Sequence, residues 1–480
     1  MARGKECNMK MRKTALLLAL VCLLSACANP SVNVENPETV DSGANTGATT
    51  PPETEAAKLA AVQYPEAVPY PTQVEYDKSG HLDYDAYEAA MDKWFDTWTE
   101  RREGTDNNLS DLAAYYRTAS PVFLKAALKE QKNAVCSPLN IYMALAMLAE
   151  TTAGTSRQQV LDLLGTDSTD SLRTTIGNLW RANYEEDEVV TCMLANSVWL
   201  SSARSYKQEL LDRLAADYFA ESFAGRMGSE AYNKLLQDWL NEKTQGLLQD
   251  AVKGIKMDPH TVLALASTLY YKASWEEAFM KNATGQETFH GVDGDETVDM
   301  MHRTAWFPYY AGEDFRAASI PLKESGSMWV ILPEEGQNAE ALLENDAMWE
   351  LLCGQAEDEI DSARLAVSMP RFDVNAHMSL MDGLRELGMT DVMDDMASDF
   401  SPLCDNAEGI ILSEATHAAR VMADEEGVIG AAFTVLMAKA TAAFREDEPI
   451  PFVVDKPYLF CVTARDGSLL FMGIVNTLQK

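Results

Sequence analysis

The sequence lacks the residue patterns that most enzymes use for chemistry. Its six histidines form no H-E-x-x-H motif and no paired spacing suited to a metal ion. It contains no G-x-S-x-G segment to expose a nucleophilic serine, and no Walker loop or G-x-G-x-x-G turn to bind phosphates. Acidic pairs such as Asp394-Asp395 are expected by chance among 74 acidic residues and are typical of a solvated surface. We therefore expect neither an enzyme nor a cofactor or metal site.

Cysteine chemistry is also not indicated. Beyond the first 27 residues five further cysteines remain, an odd number without C-x-x-C spacing, which argues against a disulfide framework and a zinc site. We expect them to be buried free thiols that pack as small hydrophobic side chains. They are Cys136, Cys192, Cys353, Cys404 and Cys461.

One segment near the C-terminus is unusual. Residues 428–438 are uncharged and follow the acidic stretch Asp424–Glu426 and Gly427. No proline interrupts the segment, so it could enter the centre of a sheet, and small or apolar residues at alternate positions could form one buried face. Yet Gly430 and the neighbouring alanines favour strands only weakly. Both a fixed core strand and a segment that becomes a strand only on occasion fit this pattern.

Length and charge restrict the fold and the partners. The 480 residues suffice for one large domain or two modest ones, and 47% hydrophobic residues are typical of a folded protein. The net charge of -35 argues against nucleic acid and anionic membrane surfaces as partners, because both bind cationic proteins.

The first 27 residues have the features of a secretion signal. Basic residues between positions 5 and 13 precede the apolar run Ala15–Leu24, which is far shorter than the roughly 20 residues needed to span a bilayer. Leu24-Ser25-Ala26-Cys27 resembles the lipobox of bacterial lipoproteins, in which the cysteine becomes the lipidated first residue. This resemblance implies a protein anchored through Cys27 to the outer side of a bacterial membrane. An ordinary secretion signal with an incidental cysteine is the alternative.

A spacer and a mixed helix and strand region follow. Residues 28–72 are poor in large apolar side chains and predict a flexible tether, whereas aromatic residues at helical spacing predict an amphipathic helix over 81–103. We therefore divide the chain into a signal (1–27), a tether with a helical extension (28–110) and a main domain (111–480). Within the main domain the predicted helices and strands do not alternate regularly as βαβ units, and this favours an α+β fold. Helices are predicted over 141–150, 158–164 and 231–248, and strands over 191–200, 262–271, 315–321, 328–332, 364–369 and 468–475.

From about residue 112 to 480 the sequence resembles the serpins, the serine protease inhibitor family. Each motif is weak alone, but more than eight occur in the family's order. They are Asn133–Ile141, Gly154–Gln159, Ala195–Trp199, Asn241–Gly246, Leu269–Trp275, Val298–Met301, Met369–Phe372, Leu387–Met389, His417, Glu425–Gly427, Phe452–Tyr458 and Phe471–Gly473.

The resemblance implies the serpin fold, with three β-sheets, about nine helices and an exposed reactive-centre loop. It also implies a suicide-substrate inhibitor of an extracellular serine, or alternatively cysteine, protease. The protease cuts the loop and is trapped as an acyl-enzyme while the loop inserts into the main sheet. The partner is then a target protease, and membrane contact is through the lipid anchor only.

The resemblance further implies the roles of particular residues. The loop hinge comprises Glu425, Glu426, Gly427, Val428, Gly430 and Ala432, and the shutter and breach of the main sheet comprise Ser137, Asn140, Trp199, Ser267 and His417. Counting along the loop from Glu425 places the scissile bond between Thr441 and Ala442. Small residues around this bond suggest a protease with a shallow, elastase-like or subtilisin-like pocket, whereas Lys439 and Arg445 would suit a trypsin-like enzyme.

Several positions depart from the family pattern and keep alternatives open. Ile429 and Phe433 would face solvent after insertion, and Asn140 and Ser267 stand where the family often has Ser and Asn. A non-inhibitory serpin that acts as a surface binding protein is therefore the second hypothesis. A solute-binding lipoprotein would share the lipobox, but it would also need repeated βαβ patterning, which this sequence lacks.

Overall fold

The structure is a computed structural model that describes residues 56–60, 62–64, 71, 83–105, 108–186, 189–428 and 448–479. Within these residues the α-helices are α1 Tyr84–Arg101, α2 Asn108–Glu130, α3 Pro138–Thr151, α4 Gly154–Leu164, α5 Thr169–Asn183, α6 Gln208–Asp217, α7 Glu230–Lys243, α8 Gln249–Val252, α9 Asp346–Leu352 and α10 Met381–Glu386. Short 3₁₀ helices are Lys281–Ala283, Ala341–Glu344, Glu357–Glu359 and Asp391–Met393. No helix among the described residues is both long enough and apolar enough to cross a membrane.

The six strands predicted from the sequence are present, each within a few residues of its predicted bounds. The described residues form 17 strands in all. They are β1 Ala57–Ala60, β2 Ala134–Cys136, β3 Glu185–Glu186, β4 Val190–Ser201, β5 Ala220–Gly225, β6 Leu263–Ser274, β7 Gly285–Gly291, β8 Gly294–Ala311, β9 Phe315–Pro321, β10 Ser327–Pro333, β11 Asp361–Pro370, β12 Phe372–Ser379, β13 Thr416–Ala423, β14 Gly427–Val428, β15 Ile450–Val453, β16 Tyr458–Thr463 and β17 Leu469–Val475. The predicted α+β fold class is confirmed.

The described strands form two hydrogen-bonded sheets. The main sheet has the order β1-β5-β4-β6-β14-β13-β12, with β3 paired to β4, and the second sheet has the order β15-β11-β8-β9-β10-β16-β17-β2, with β7 paired to β8. The resemblance implied three sheets. The 18-residue β8 explains the difference, because it pairs with β7 and β11 along most of its length and with β9 at its end, so it joins two sheets into one network.

The core lies around α3, which is buried on nearly every side. Of its 14 residues only Ala144 is not buried, and such an all-round apolar helix belongs inside a protein. Ser137 begins this helix: its side-chain oxygen accepts a hydrogen bond from the Asn140 amide, and Pro138 occupies the first turn. The five cysteines of the domain are free and buried, as predicted.

The prediction of a single helix over 231–248 was too long. Helix α7 ends at Lys243, and the chain then turns through Gln245 and Gly246, which have φ values of 51° and 74°. A left-handed conformation at two successive residues cannot continue an α-helix, although Leu247 and Leu248 prolong the apolar periodicity. A short separate helix, α8, follows.

The tether prediction over 28–72 was wrong at its C-terminal end. Residues 57–60 form β1, which pairs antiparallel with β5 at the edge of the main sheet. Composition averaged over a long segment misses such a strand, because four residues suffice to extend an open sheet edge. The helix predicted over 81–103 is present as α1, but none of its side chains is fully buried.

Candidate functional site, an open cleft in the main sheet

The main sheet is split between β6 and β13. Two residues of β14 lie between these strands at one end, where Gly427 pairs with Ser274 and Val428 pairs with both Ala273 and Ala423. Beyond Val428, no described residue pairs with either strand on the facing side. A cavity of about 250 Å³ occupies this region, lined by residues 263–269 of β6 and 416–420 of β13. We call this region the cleft.

An ion pair holds the segment that enters the cleft. The carboxylate of Glu425 is 3% exposed and accepts two hydrogen bonds from the Arg371 guanidinium, one of them 2.8 Å long, and one from the Thr284 hydroxyl. Burial opposes its ionisation, but these hydrogen bonds and the positive charge outweigh that effect and lower the pKa of Glu425. Glu425 therefore stays charged and fixes the chain where β14 begins.

Trp275, which directly follows the C-terminal end of β6, contacts the backbone of the same segment. The Trp275 amide donates to the Glu426 carbonyl at 3.0 Å, and its indole Nε1 donates to the Asp424 carbonyl at 2.8 Å. Asp424 in turn accepts hydrogen bonds from the Glu426 and Gly427 amides. The hinge is thus a locked turn that directs Val428 into the sheet.

Gly427 occupies a position that admits no side chain. A Cβ atom there would lie 2.2 Å from the carbonyl oxygen of Ala273 and 2.7 Å from the Cα of Ser274. Both neighbours are backbone atoms of a paired strand, so neither can move away cheaply. The glycine therefore allows β14 to approach β6 closely enough to pair.

A neutral histidine lies beside the middle of the cleft. The His417 ring is buried, and its Nε2 accepts a hydrogen bond of 3.0 Å from the Ser137 amide. Burial, together with the nearby His377, lowers the pKa of His417 to about 4. The unprotonated Nε2 is required for this contact, because a protonated ring nitrogen cannot accept the Ser137 hydrogen.

Two polar side chains in the cleft lack partners. The Asn140 Oδ1 and Ser267 Oγ atoms are buried, and no residue in the described ranges hydrogen-bonds to either. Unpaired buried polar atoms destabilise a folded state by about 1–3 kcal/mol each. A strand that brought polar groups into the cleft could relieve that cost. The exchange of Ser and Asn at these positions thus leaves polar atoms facing the cleft.

The structure brings together most of the predicted site residues that it describes. Ser137, Asn140, Trp199, Ser267 and His417 all line the cavity. Gly427 and Val428 lie between β6 and β13 at one end of the cleft, and Glu425 and Glu426 form the turn before them. Gly430, Ala432, Thr441, Ala442 and Cys27 lie outside the described residues.

Trp199, which we predicted among the shutter and breach residues, does not lie beside the hinge. It pairs with Ala264, at the opposite end of β6 from the hinge, and packs against Phe223, Tyr232 and Trp239. The tryptophan that contacts the hinge is Trp275. Sequence reasoning quoted Trp275 and Arg371 within motifs but gave neither a role. Their position beside the hinge depends on strand pairing, which one sequence does not display.

Comparison with known families identifies one match across most of the chain. The family model described as Serpin (serine protease inhibitor) matches residues 116–478. An uncharacterized serpin-like protein of Thermococcus kodakarensis is 29% identical over 351 residues, which are 71% of this chain and 80% of the relative. Human leukocyte elastase inhibitor is 27% identical over 375 residues, covering 75% of this chain and 97% of the inhibitor.

Solved structures agree in fold. The crystal structure of the thermophilic serpin tengpin in the native state has a TM-score of 0.70 at 20% identity and covers 88% of this chain and 100% of tengpin. The native stressed conformation of an Arabidopsis serpin has a TM-score of 0.65 at 23% identity, over 77% of this chain and 98% of that protein.

The neutral His417 predicts a specific loss of stability in acid. Its folded pKa of about 4 lies below the ordinary 6.5, so the unfolded chain gains a proton first as the pH falls. The free energy of unfolding should therefore drop by about 3 kcal/mol between pH 7 and pH 4 on account of this residue. His417→Gln keeps a hydrogen-bond acceptor but does not titrate. Between pH 7 and pH 4 its free energy of unfolding should therefore fall by about 3 kcal/mol less than that of the wild type, as measured by urea unfolding at both pH values.

His260→Gln is the matched control, because His260 is exposed, makes no contact with the Ser137 amide and is not among the causes of the lowered pKa of His417. Its stability should follow the wild-type pH dependence. Equal losses in the wild type and in His417→Gln would contradict the assignment of a neutral, hydrogen-bonded His417.

Proposed function

The chain belongs to the serpin family, and on that premise we propose that it is a suicide-substrate inhibitor of an extracellular serine protease that traps its target by inserting the reactive loop into the cleft. Serpins are protease inhibitors and not catalytic enzymes. The observation that carries the proposal is the pairing of β14 with both β6 and β13. The two residues of β14 form the beginning of an inserted strand, and the open cleft beyond them is as long as the uncharged segment that follows.

The length of the cleft fits the uncharged segment. Gly427 lies opposite Ser274, and a strand continued in that register would reach position 438 opposite Leu263, where β6 begins. The uncharged run of the sequence also ends at Ala438, and Lys439 follows. The segment that fits the length of the cleft, residues 428–438, is therefore also the segment that can be buried without removing a charged side chain from water.

The same register matches polar groups in the cleft. Continued pairing would bring position 434, a threonine, between Ser267 of β6 and His417 of β13. Asn140 Oδ1 and Ser267 Oγ line that part of the cavity, and both lack a partner among the described residues. A hydroxyl group entering there can donate and accept hydrogen bonds, so insertion would lower the free energy by more than the backbone pairing alone.

The chemistry of the trap belongs to the protease. Its serine Oγ attacks the carbonyl carbon of Thr441, the peptide bond to Ala442 breaks, and the leaving amine takes up a proton. The resulting ester joins the protease to the cut end of the loop. Insertion then draws the protease across the inhibitor before water can hydrolyse the ester, and the free energy comes from the completed sheet.

The residues around the predicted bond suggest the target. Ala440, Thr441 and Ala442 have small side chains, which suit a shallow elastase-like or subtilisin-like pocket. One relative at 27% identity carries the name leukocyte elastase inhibitor, which supports that class. We further propose that Cys27 carries the lipid that holds the inhibitor on the outer side of a bacterial membrane.

Residue 430 should decide whether the loop inserts. Val428 is fully buried, so an inserted strand turns residue 430 to the same interior face and residue 429 to the opposite face. Gly430→Asp would bury a carboxylate without a partner, and it should convert the inhibitor into an ordinary substrate. SDS-stable complexes with an elastase-like protease, counted per loop cleaved, measure this.

Ile429→Asp is the control with the same charge on the opposite face. It should retain nearly wild-type complex formation. If Gly430→Asp forms stable complexes at the wild-type ratio, residue 430 does not enter the sheet and the insertion mechanism is contradicted.

The position of the cut predicts a defined fragment. After complex formation the released C-terminal fragment should begin at Ala442, because the acyl bond is on Thr441. Mass spectrometry of the fragment gives its N-terminus directly. A fragment that begins at Ala440 or Glu446 would instead indicate cleavage after Lys439 or Arg445 and a trypsin-like target.

Lipid anchoring predicts the fate of a cysteine variant. Cys27→Ala should either release the protein from the membrane or leave the signal uncleaved, because the lipidated residue is lost. Membrane fractionation and the mass of the mature chain test this. Unchanged fractionation with normal processing would exclude Cys27 as the anchor.

A further inference from the structure

Helix α7 covers the outer face of the main sheet, the face that points away from the core. Trp239 of α7 packs with Ala195 and Trp199 of β4 in an apolar cluster that is separate from the main core. Ala195 pairs with Thr268 and Trp199 pairs with Ala264, and side chains of directly paired residues lie on the same face of a sheet. The outer face of β6 near its N-terminal end therefore also lies under α7.

This covering continues from α7 across the cleft. Half-buried leucines of α7 and of the turn that follows it line the cavity, and Arg420 of β13 donates a hydrogen bond of 3.4 Å to the Leu247 carbonyl oxygen. The covering thus reaches from β6, on one side of the cleft, to β13, on the other. We call its apolar side chains that line the cavity the roof: Leu236, Leu240, Leu247, Leu248 and Val252.

The strands beneath the roof carry small side chains. Ala264 and Ala266 of β6 and Ala418 of β13 line the same cavity, and none of the three is fully buried. Protein interiors are close-packed, and a methyl group fills little of the space between a strand and a helix that covers it. The roof therefore has room for large apolar side chains from a strand that lies between β6 and β13.

The segment after β14 has large apolar side chains at the matching positions. Continuing the register of β14 places Phe433 between Thr268 and Ala418. Residues 435 and 437, a valine and a methionine, follow on the same face, opposite the two alanines of β6. The positions that would lie beneath the roof are thus those at which this segment is bulky.

We propose that the roof is the docking surface for the outer face of the inserted segment, with Phe433 as the main side chain that it receives. The inference rests on the proposed function, because the segment reaches the roof only by entering the cleft. Smaller residues stand at 430, 432 and 434, which would face the core, so large and small side chains are divided between the two faces as the cavity requires.

This docking changes the interpretation of two departures from the family pattern. The resemblance alone predicts that Ile429 and Phe433 both face solvent after insertion. Under the roof Phe433 is buried, whereas Ile429 lies opposite Lys272, which is outside the cavity lining. The two residues share a face of the inserted strand but differ in what covers them.

The experiment compares these two positions in the full-length chain. The loop is cut by a protease that is not trapped, and the rise in melting temperature from the uncut to the cut chain is measured for each variant. Phe433→Asp should show a rise about 10 °C smaller than that of the wild type, because a carboxylate would have to enter an apolar space. Ile429→Asp places the same charge on the same face beyond the roof and should show the wild-type rise.

A second pair of variants tests the roof itself and leaves the loop unchanged. Leu240→Ala removes part of the surface that Phe433 would contact, and its rise should be about 3 °C smaller than that of the wild type. Leu235→Ala is the control, because Leu235 is a partly buried residue of the same helix that does not line the cavity. Each rise is taken against the uncut chain of the same variant, so a general loss of stability cancels.

The outcomes separate this inference from the proposed function. No rise in the cut wild-type chain would overturn insertion, and the docking surface with it. A full rise in the wild type with an equally large rise in Phe433→Asp would refute the roof and leave insertion standing. Equal rises in Leu240→Ala and Leu235→Ala would likewise refute contact between the roof and the inserted segment.

Discussion

The ion pair between Arg371 and Glu425 is the contact on which the rest of the site depends. It fixes a buried carboxylate at the point where the chain leaves β13 and turns back toward β6. From there the Trp275 contacts and the side-chain-free Gly427 direct Val428 into the sheet. The loop is thereby held with its first pair of residues already inserted and the remaining cleft open below it.

The open cleft destabilises the folded protein because polar groups in it lack hydrogen-bond partners, and insertion of the loop can supply those partners. Backbone groups of β6 and β13 that face the cleft have no paired strand among the described residues, and Asn140 and Ser267 each hold an unpaired oxygen there. The strand that would fill it is uncharged over the length that β6 offers. The hinge, the unpaired polar atoms of the cleft and the uncharged composition of the loop are therefore all consistent with insertion of the loop as a strand between β6 and β13.

Local pattern predicted the elements well and their contacts poorly. The strand expected over 315–321 is β9, because alternating apolar residues reflect local geometry. Pairing between distant segments is different: Arg371 and Glu425 are 54 positions apart, and neither residue type predicts the other. For the same reason the family resemblance led us to place Trp199, and not Trp275, among the shutter and breach residues. The predicted tether likewise extended through β1, whose pairing depends on the open edge of β5.

The central claim is that the cut loop becomes a strand of the main sheet. The most direct test is thermal unfolding before and after cleavage of the loop by a protease that is not trapped. Insertion predicts a large rise in melting temperature for the cut chain, and no such rise in Gly430→Asp, because the carboxylate blocks entry. An unchanged melting temperature in the cut wild-type chain would contradict insertion and favour a serpin that only binds its partner.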